Sequence, residues 1–507
     1  MKNRGTVVLF LLLIVATLWL RIACLGYSNF QGDEIKAMFR PQDGENIKDF
    51  LFSQRKGPVQ FLITGIYSVI DPLFSSEFFL RFPFALSGIF SVLVFYGLVR
   101  LYFGTTIAIC ASFLMATNGL FVAFGRIVQY QSITILCSLL CLYFLSSAMK
   151  GERWRVPALY AGLLSASVGI LSHFDGIFII PPTVYLLCKL YKQSKKPPGL
   201  PGLRRHIFYA VALATLPVLI FYIPYVIYVT YDRIVYWSER ISGPPSHSMT
   251  SFQFYNPIIG IHVYGVLLVL SLFRIKQHKD AFLFVLWLLP PFIFMEFVMQ
   301  SPRTHIYTYL LPSFVFAAMG IETIEIGIRR FFSKKSVTIV HIACSVLFLF
   351  LFSVSHTLFV DHQKEYPWTD KDFFRWKLRG HYMEGIMGFP YNRQWREIGH
   401  FFSDNYKSKE QFYATNEKHI ISSFYLPKHM TFCENEAVVS QQLMKSNGFF
   451  MIIVENPQSW EQNILGRPVN YWKNLLVPLK TFADEHKNLL SSVYYLSRAD
   501  LDIAMRH

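Results

Sequence analysis

Asp33 and Glu34, adjacent in the stretch NFQGDEIKAMFR, stand just beyond the first of many apolar runs, a place where carboxylates either do chemistry or bind a ligand. One positioned carboxylate is enough to orient or deprotonate a hydroxyl acceptor. Neighbouring helical residues point about 100° apart, so a catalytic reading gives one acid the work and the other a supporting role. Gly32-Asp33 before IKAMF also has the pattern of a helix cap, with Glu34 favourably placed in the first turn. Lys56, in QRKGPVQF, precedes a Gly-Pro turn and would sit at lipid-headgroup depth, as a snorkelling cation or a phosphate contact. Arg126 in AFGRIVQYQS, His173 and Asp175 in SHFDGIF, and Arg303, His305 and Tyr307 in SPRTHIYTY complete the candidates. The H-x-D spacing of His173 and Asp175 offers two ligands to a divalent cation, and two ligands do not make a metal site, so none is assigned.

The elements that hold these residues are membrane spans. At 507 residues, 53% hydrophobic and only 16% charged, the chain is too apolar for an ordinary soluble protein. Apolar runs recur from Thr6 to Val360, and beyond that none reaches the roughly 18 to 20 residues that a spanning helix needs. The expected division is therefore a membrane domain, 1–360, and an extramembrane domain, 361–507. The charge follows this division: 30 Lys/Arg against 15 Asp/Glu in the first part, 18 against 17 in the second. Because the excess cations lie in short loops between spans, the positive-inside rule accounts for them and nucleic acid is not a partner. The N-terminal run is long for a signal peptide and lacks a small-residue cleavage site, so it reads as an uncleaved anchor. The seven cysteines show no disulfide or zinc spacing.

If every basic cluster is cytoplasmic, the number of spans between Lys2/Arg4 and Lys150–Arg155 must be even, yet five apolar segments lie there: 6–25, 58–70, 80–101, 105–124 and 129–149. The segment 58–70 is the shortest and is stopped by Asp71-Pro72, so it is expected to be re-entrant or interfacial. Eleven spans then result, with the loop 26–79, the other candidate residues and the C-terminal domain on the outer face. Few charges fall near mid-membrane, which argues against a coupled transporter. The C-terminal part alternates helical patterns such as YNRQWREIGHFFSDN with strand-like runs such as GFFMIIVEN and LLSSVYYL, as a small α/β domain does. Acids and cations from several loops thus converge on one face beside an interfacial segment, which suits a lipid-phosphate substrate.

Three ordered elements, GDEIKAMF, KGPVQFLITGIYSVI and SEFFLRFPFALSGIFSVLVFYGLVRLYFG, resemble the GT-C class of membrane glycosyltransferases, specifically the dolichyl-phosphate-mannose protein mannosyltransferase-like group that includes the lipid A aminoarabinose transferases. The resemblance runs from about residue 6 to about 330. It implies a GT-C fold with juxtamembrane helices in the first outer loop, and inverting transfer of a sugar from a polyprenyl (dolichyl or undecaprenyl) phosphate donor to a lipid, glycan or protein acceptor. It implies an active site outside a bacterial or archaeal plasma membrane; no cofactor is assigned, and a divalent cation is compatible. By motif position Asp33 would be the base, Glu34 its support and Lys56 a phosphate contact, with Arg126 and Arg303 as further cations and His173, Asp175, His305 and Tyr307 as an additional site. Two positions depart from the pattern: His173 stands where the aminoarabinose transferases carry lysine, and Gln131 where many relatives carry an acid. A lipid-linked oligosaccharide ligase or polymerase, and a lipid or solute transporter, are the competing readings.

Overall fold

The computed structural model describes residues 2–151, 154–194, 202–228, 231–241, 249–257, 261–331, 334–366, 370–373, 376–379, 387–406, 411–434, 448–459, 463–497 and 500. Arg153 and residues 195–201 of the basic loop lie outside the described residues. The first ten helices are α1 (Lys2–Ile22), α2 (Gly32–Ile35), α3 (Ile47–Ser53), α4 (Val59–Ile70), α5 (Glu77–Thr117), α6 (Gly119–Phe124), α7 (Gln131–Lys150), α8 (Arg155–Ser172), α9 (Ile180–Gln193) and α10 (Leu203–Ile227). Nine more follow: α11 (Tyr231–Ile241), α12 (Met249–Tyr255), α13 (Ile261–Ile275), α14 (Ala281–Phe297), α15 (Tyr307–Phe331), α16 (Lys334–Phe359), α17 (Trp395–Asn405), α18 (His419–Tyr425) and α19 (Val469–Leu475). Short 3-10 turns, Phe174–Ile179 and Arg303–Ile306, lead into α9 and α15.

The chain forms two compact units: Met1–Leu25, Met38–Ser75 and Phe79–Val360 in one, Gly26–Ala37, Ser76–Phe78 and Asp361–His507 in the other.

The first unit is helical throughout. Among the described residues eight helices are long and apolar enough to cross a membrane, so the chain is a multi-pass membrane protein. One of these, α5, is broken at Gly104, whose φ of 81° is open to glycine without steric cost, and so acts as two rods. Those rods and the shorter apolar helices α13 and α14 correspond to the remaining spans expected from the sequence. Within the bundle α7 packs along α8, α13 along α15, and α10 against α8. By contrast α4 has only 12 residues. It buries Gln60, Phe61 and Thr64 while Leu62, Ile66, Val69 and Ile70 stay exposed, an apolar outer face of the kind an interfacial helix turns to lipid.

The second unit is built on a five-stranded mixed sheet of order β4-β3-β5-β9-β8: β3 is Gln411–Thr415, β4 Met430–Phe432, β5 Gly448–Val454, β8 Lys480–Ala483 and β9 Leu489–Ser497. Two small ribbons, β1 (Asp370–Phe373) with β2 (Trp376–Arg379) and β6 (Asn463–Ile464) with β7 (Arg467–Pro468), are separate from it. β3 runs parallel to both β4 and β5, while β9 is antiparallel to β5 and β8. As a central strand covered on both faces, β5 is apolar without alternation, and Phe449–Val454 are all buried. The helical and strand-like patterns read from the sequence correspond to α17, β5 and β9.

Candidate active site

The acid pair belongs to the second unit and is not symmetric. Gln31, with extended backbone, is the N-cap of α2, which places Gly32, Asp33 and Glu34 at its first three positions; the capping residue is therefore Gln31, not Gly32 or Asp33. Glu34 is fully buried, and its Oε2 accepts the Gln31 N–H at 3.0 Å, the reach-back half of a capping box. Asp33 is half-buried. The flanking chain is pinned inside this unit: Asn29 N–H donates to Tyr391 O (2.9 Å), Arg393 N–H to Asn29 Oδ1 (2.8 Å), and Phe30 N–H to Tyr425 Oη (2.6 Å). Glu77, further along the same loop, accepts from the Arg396 guanidinium (2.6 Å) and from Tyr425 Oη (2.9 Å). A segment that reads as loop is thus held as firmly as core structure, and it presents Asp33 from a fixed turn.

In the first unit, Lys56 stands at the N-terminal side of α4. Its ammonium donates to Gln129 Oε1 at 3.0 Å and lies 5.5 Å from the centre of the Tyr130 ring, a cation–π contact. Tyr130 in turn stacks on the His173 imidazole, centroids 3.8 Å apart and planes within 5°. The following Gly-Pro turn is needed for proximity: a Cβ on Gly57 would lie 1.9 Å from Leu171 O, near the end of α8. Gly176 meets the same helix, with Gly169 O 2.6 Å from where its Cβ would be. Two glycines therefore seat Lys56 and Asp175 against one helix end. Gly57→Ala is expected to cost about 1–3 kcal/mol from overpacking and, if Lys56 is the phosphate contact that its motif position implies, to lower turnover about tenfold or more by displacing it. Thermal melting and turnover on one preparation check both, and unchanged turnover would separate Lys56 from the chemistry.

His173, Asp175, His305 and Tyr307, scattered in the sequence, come together. His173 Nδ1 accepts the Asp175 N–H at 3.2 Å and so caps the 3-10 turn that carries the acid; its ring proton, when neutral, is on Nε2. His305 Nδ1 lies 2.6 Å from Asp175 Oδ2 and donates to it, which leaves Nε2 as the acceptor. The other oxygen, Oδ1, is 3.3 Å from His173 Nδ1. All three are buried; the His305 N–H offsets part of the desolvation of the carboxylate, while Oδ1 faces the unprotonated Nδ1 of His173 and has no hydrogen bond among the described residues. Tyr307 shares with Asp175, Thr134 and Trp287 the lining of a small internal cavity. One ligand atom from each of His173, Asp175 and His305 lies within 4.8 Å of the others, a set able to hold a divalent ion such as zinc. The H-x-D reading counted two ligands; the fold supplies His305 as a third.

The remaining arginines differ. Arg126 is buried and donates to Leu20 O (3.0 Å), Ala23 O (2.9 Å) and Cys24 O (3.3 Å), carbonyls at the end of α1 that have no intrahelical partner. Its guanidinium is engaged in structure. Arg303 is exposed and has a φ of 44°, a left-handed conformation that costs a non-glycine residue about 1 kcal/mol or more. Gln129, Tyr130, Gly57 and Gly176 were not singled out from the sequence; the polar run RIVQYQS between two apolar spans was the available signal. Gln131 is buried at the start of α7.

Residues 56–228 match the family model of dolichyl-phosphate-mannose-protein mannosyltransferase. No curated protein sequence matches the chain. Among solved structures, ArnT from Cupriavidus metallidurans bound to undecaprenyl phosphate aligns with a TM-score of 0.53 at 12% identity, over 98% of this chain and 99% of that one. The archaeal oligosaccharyltransferase AglB from Archaeoglobus fulgidus, in complex with an inhibitory peptide and a dolichol-phosphate, aligns with a TM-score of 0.52 at 12% identity, over 89% and 70%. Such low identities bear on the fold, while the family match covers the segment that carries Lys56, Arg126, His173 and Asp175. The chain thus has the GT-C fold, and its residues 56–228 are similar to the dolichyl-phosphate-mannose-protein mannosyltransferase family.

Proposed function

We propose that the chain is a glycosyltransferase that moves a sugar from a polyprenyl phosphate carrier to a lipid, glycan or protein acceptor on the outer face of a bacterial or archaeal plasma membrane, with inversion. The observation that carries this reading is the Lys56 ammonium, held by Gln129 and Tyr130 beside His173 at the entry to an interfacial helix, within the segment that matches the family. It is also supported by the lipid phosphates named in the ArnT and AglB complexes.

In such a transfer the acceptor must lose a proton, whereas the leaving group departs as a phosphate anion and needs none. One carboxylate is therefore required, not the acid and base pair of a glycosidase. Asp33 takes that role and Glu34 fixes its turn. Lys56, with Arg303, neutralises charge that grows on the departing phosphate. His173, Asp175, His305 and Tyr307 form the polar floor beside Lys56, where a divalent ion, if bound, would add Lewis-acid stabilisation of the phosphate. Arg126 is left out, because its donors hold the end of α1.

Mass spectrometry of lipid co-purified with the protein tests the donor class: a polyprenyl phosphate, or its glycosylated form, is expected. A phosphate-free lipid, together with no covalent transfer from a polyprenyl-phosphate sugar, would remove the proposal. The product mass separates single-sugar transfer from transfer of a preassembled glycan by a ligase.

A further inference from the structure

The second unit carries a cleft that the proposed transfer does not use. From β3 the chain crosses to β4 on one side and then to β5 on the other, so strand order reverses between β3 and β5. In open α/β sheets ligands bind at such a reversal, outside the carboxyl ends of the parallel strands. Here the carboxyl ends of β3 and β4, next to that reversal, open into a cavity of about 330 Å³, lined among others by Thr415, Lys418, His419, Phe432, Glu434 and Asn463. That size is within the range of small-ligand sites, which runs from about 300 to 1,000 Å³.

The chemistry of the lining narrows the ligand. A nucleotide at this place needs a glycine-rich turn after β3 with N–H groups open to phosphate. The turn instead reads Thr415-Asn416-Glu417-Lys418, with a buried carboxylate at its centre. Glu417 takes the N–H of Lys418 (2.9 Å) and of Gln458 (3.1 Å), and also accepts from the Tyr391 hydroxyl, so these donors are already used and an anion would be repelled. Two carboxylates, Glu417 and Glu434, against Lys418 and an imidazole leave no cationic surplus. What the cleft offers is an aromatic pair in its lining, His419 stacked on Phe432 with centroids 4.6 Å apart and planes at 23°, together with the exposed Glu434 and Asn463. Aromatic surface for an apolar ring face, in one lining with a carboxylate and an amide able to bind hydroxyls, suits a pyranose.

We propose that this cleft is a binding site for a neutral saccharide, separate from the residues assigned to transfer. The proposal stands on the cleft alone, and its test reads binding, so it can fail or succeed whatever the outcome for transfer. Saturation-transfer NMR on the full chain, in a detergent without sugar headgroups, would use methyl α-mannoside, methyl β-galactoside and N-acetylglucosamine as probes, with inorganic phosphate as the anionic control. At least one neutral probe is expected to bind saturably, and Glu434→Gln with Asn463→Leu is expected to weaken it about tenfold or more through lost hydrogen bonds. Both residues are exposed, and an unchanged circular dichroism spectrum verifies the fold of the variant. Absence of binding for all three sugars, binding that the double variant leaves intact, or phosphate binding that the variant abolishes would each overturn the proposal.

Discussion

Asp33→Asn is expected to lower sugar transfer by about three orders of magnitude, within the span that a positioned general base contributes, while the protein still folds and inserts. The expectation rests on the division of labour in α2. Glu34 is fully buried and spends Oε2 on the Gln31 N–H, so its carboxylate is part of the turn. Asp33, one position earlier and half-buried, is not the capping residue. Asparagine has the same shape and remains compatible with a first helical turn, so the substitution removes the proton acceptor and keeps the turn. Glu34 should respond differently. Glu34→Gln keeps an oxygen for the Gln31 N–H and should cost little activity, whereas Glu34→Ala removes the reach-back bond and should destabilise the unit by about 1 kcal/mol. Turnover and melting temperature measured on the three variants distinguish the roles. Near wild-type turnover in Asp33→Asn would end the assignment of Asp33 as base.

The parts of the molecule most readable in advance were those governed by one physical requirement. Backbone groups in lipid must be satisfied internally, so long apolar runs had to be helices, and segment 58–70 was too short to span whatever its composition. Its structure as α4, with Leu62, Ile66 and Val69 exposed on one face, follows from that limit. The site was less readable because its residues meet only through tertiary packing. His173 and Asp175 are two apart in sequence, but His305 arrives from about 130 positions away, and no spacing rule connects them. Gln129 and Tyr130 were marked only by the polar run RIVQYQS; their importance follows from where Lys56 lands. Gly57 looked like half of a Gly-Pro turn, while the steric need arises from Leu171. The acid pair shows the same limit in another form. Residues 26–37 read as a loop of the membrane domain, yet Asn29 and Phe30 bond to Tyr391, Arg393 and Tyr425, partners more than 360 residues later.

Lys56→Met is expected to lower turnover by about two to three orders of magnitude, the usual consequence of removing one donor from a site of developing negative charge. Methionine keeps an apolar stem of similar length and deletes the ammonium. Since charge on the phosphate grows as the glycosidic bond breaks, the lost interaction is stronger in the transition state than in the ground state, and kcat should fall more than KM rises. Lys56→Arg should recover part of the loss, because it restores the charge but must refit a planar, bulkier group against Gln129 and the ring of Tyr130. Gln129→Leu should have a smaller effect, as it loosens the ammonium without removing it. Arg126→Lys provides the contrast. Its donors hold Leu20, Ala23 and Cys24 carbonyls, so it should reduce the yield of folded protein and leave kcat of the folded fraction close to wild type. If Lys56→Met raised KM alone, Lys56 would bind the carrier equally in both states, and the charge that stabilises the leaving phosphate would have to come from Arg303 or from an ion held by His173, Asp175 and His305.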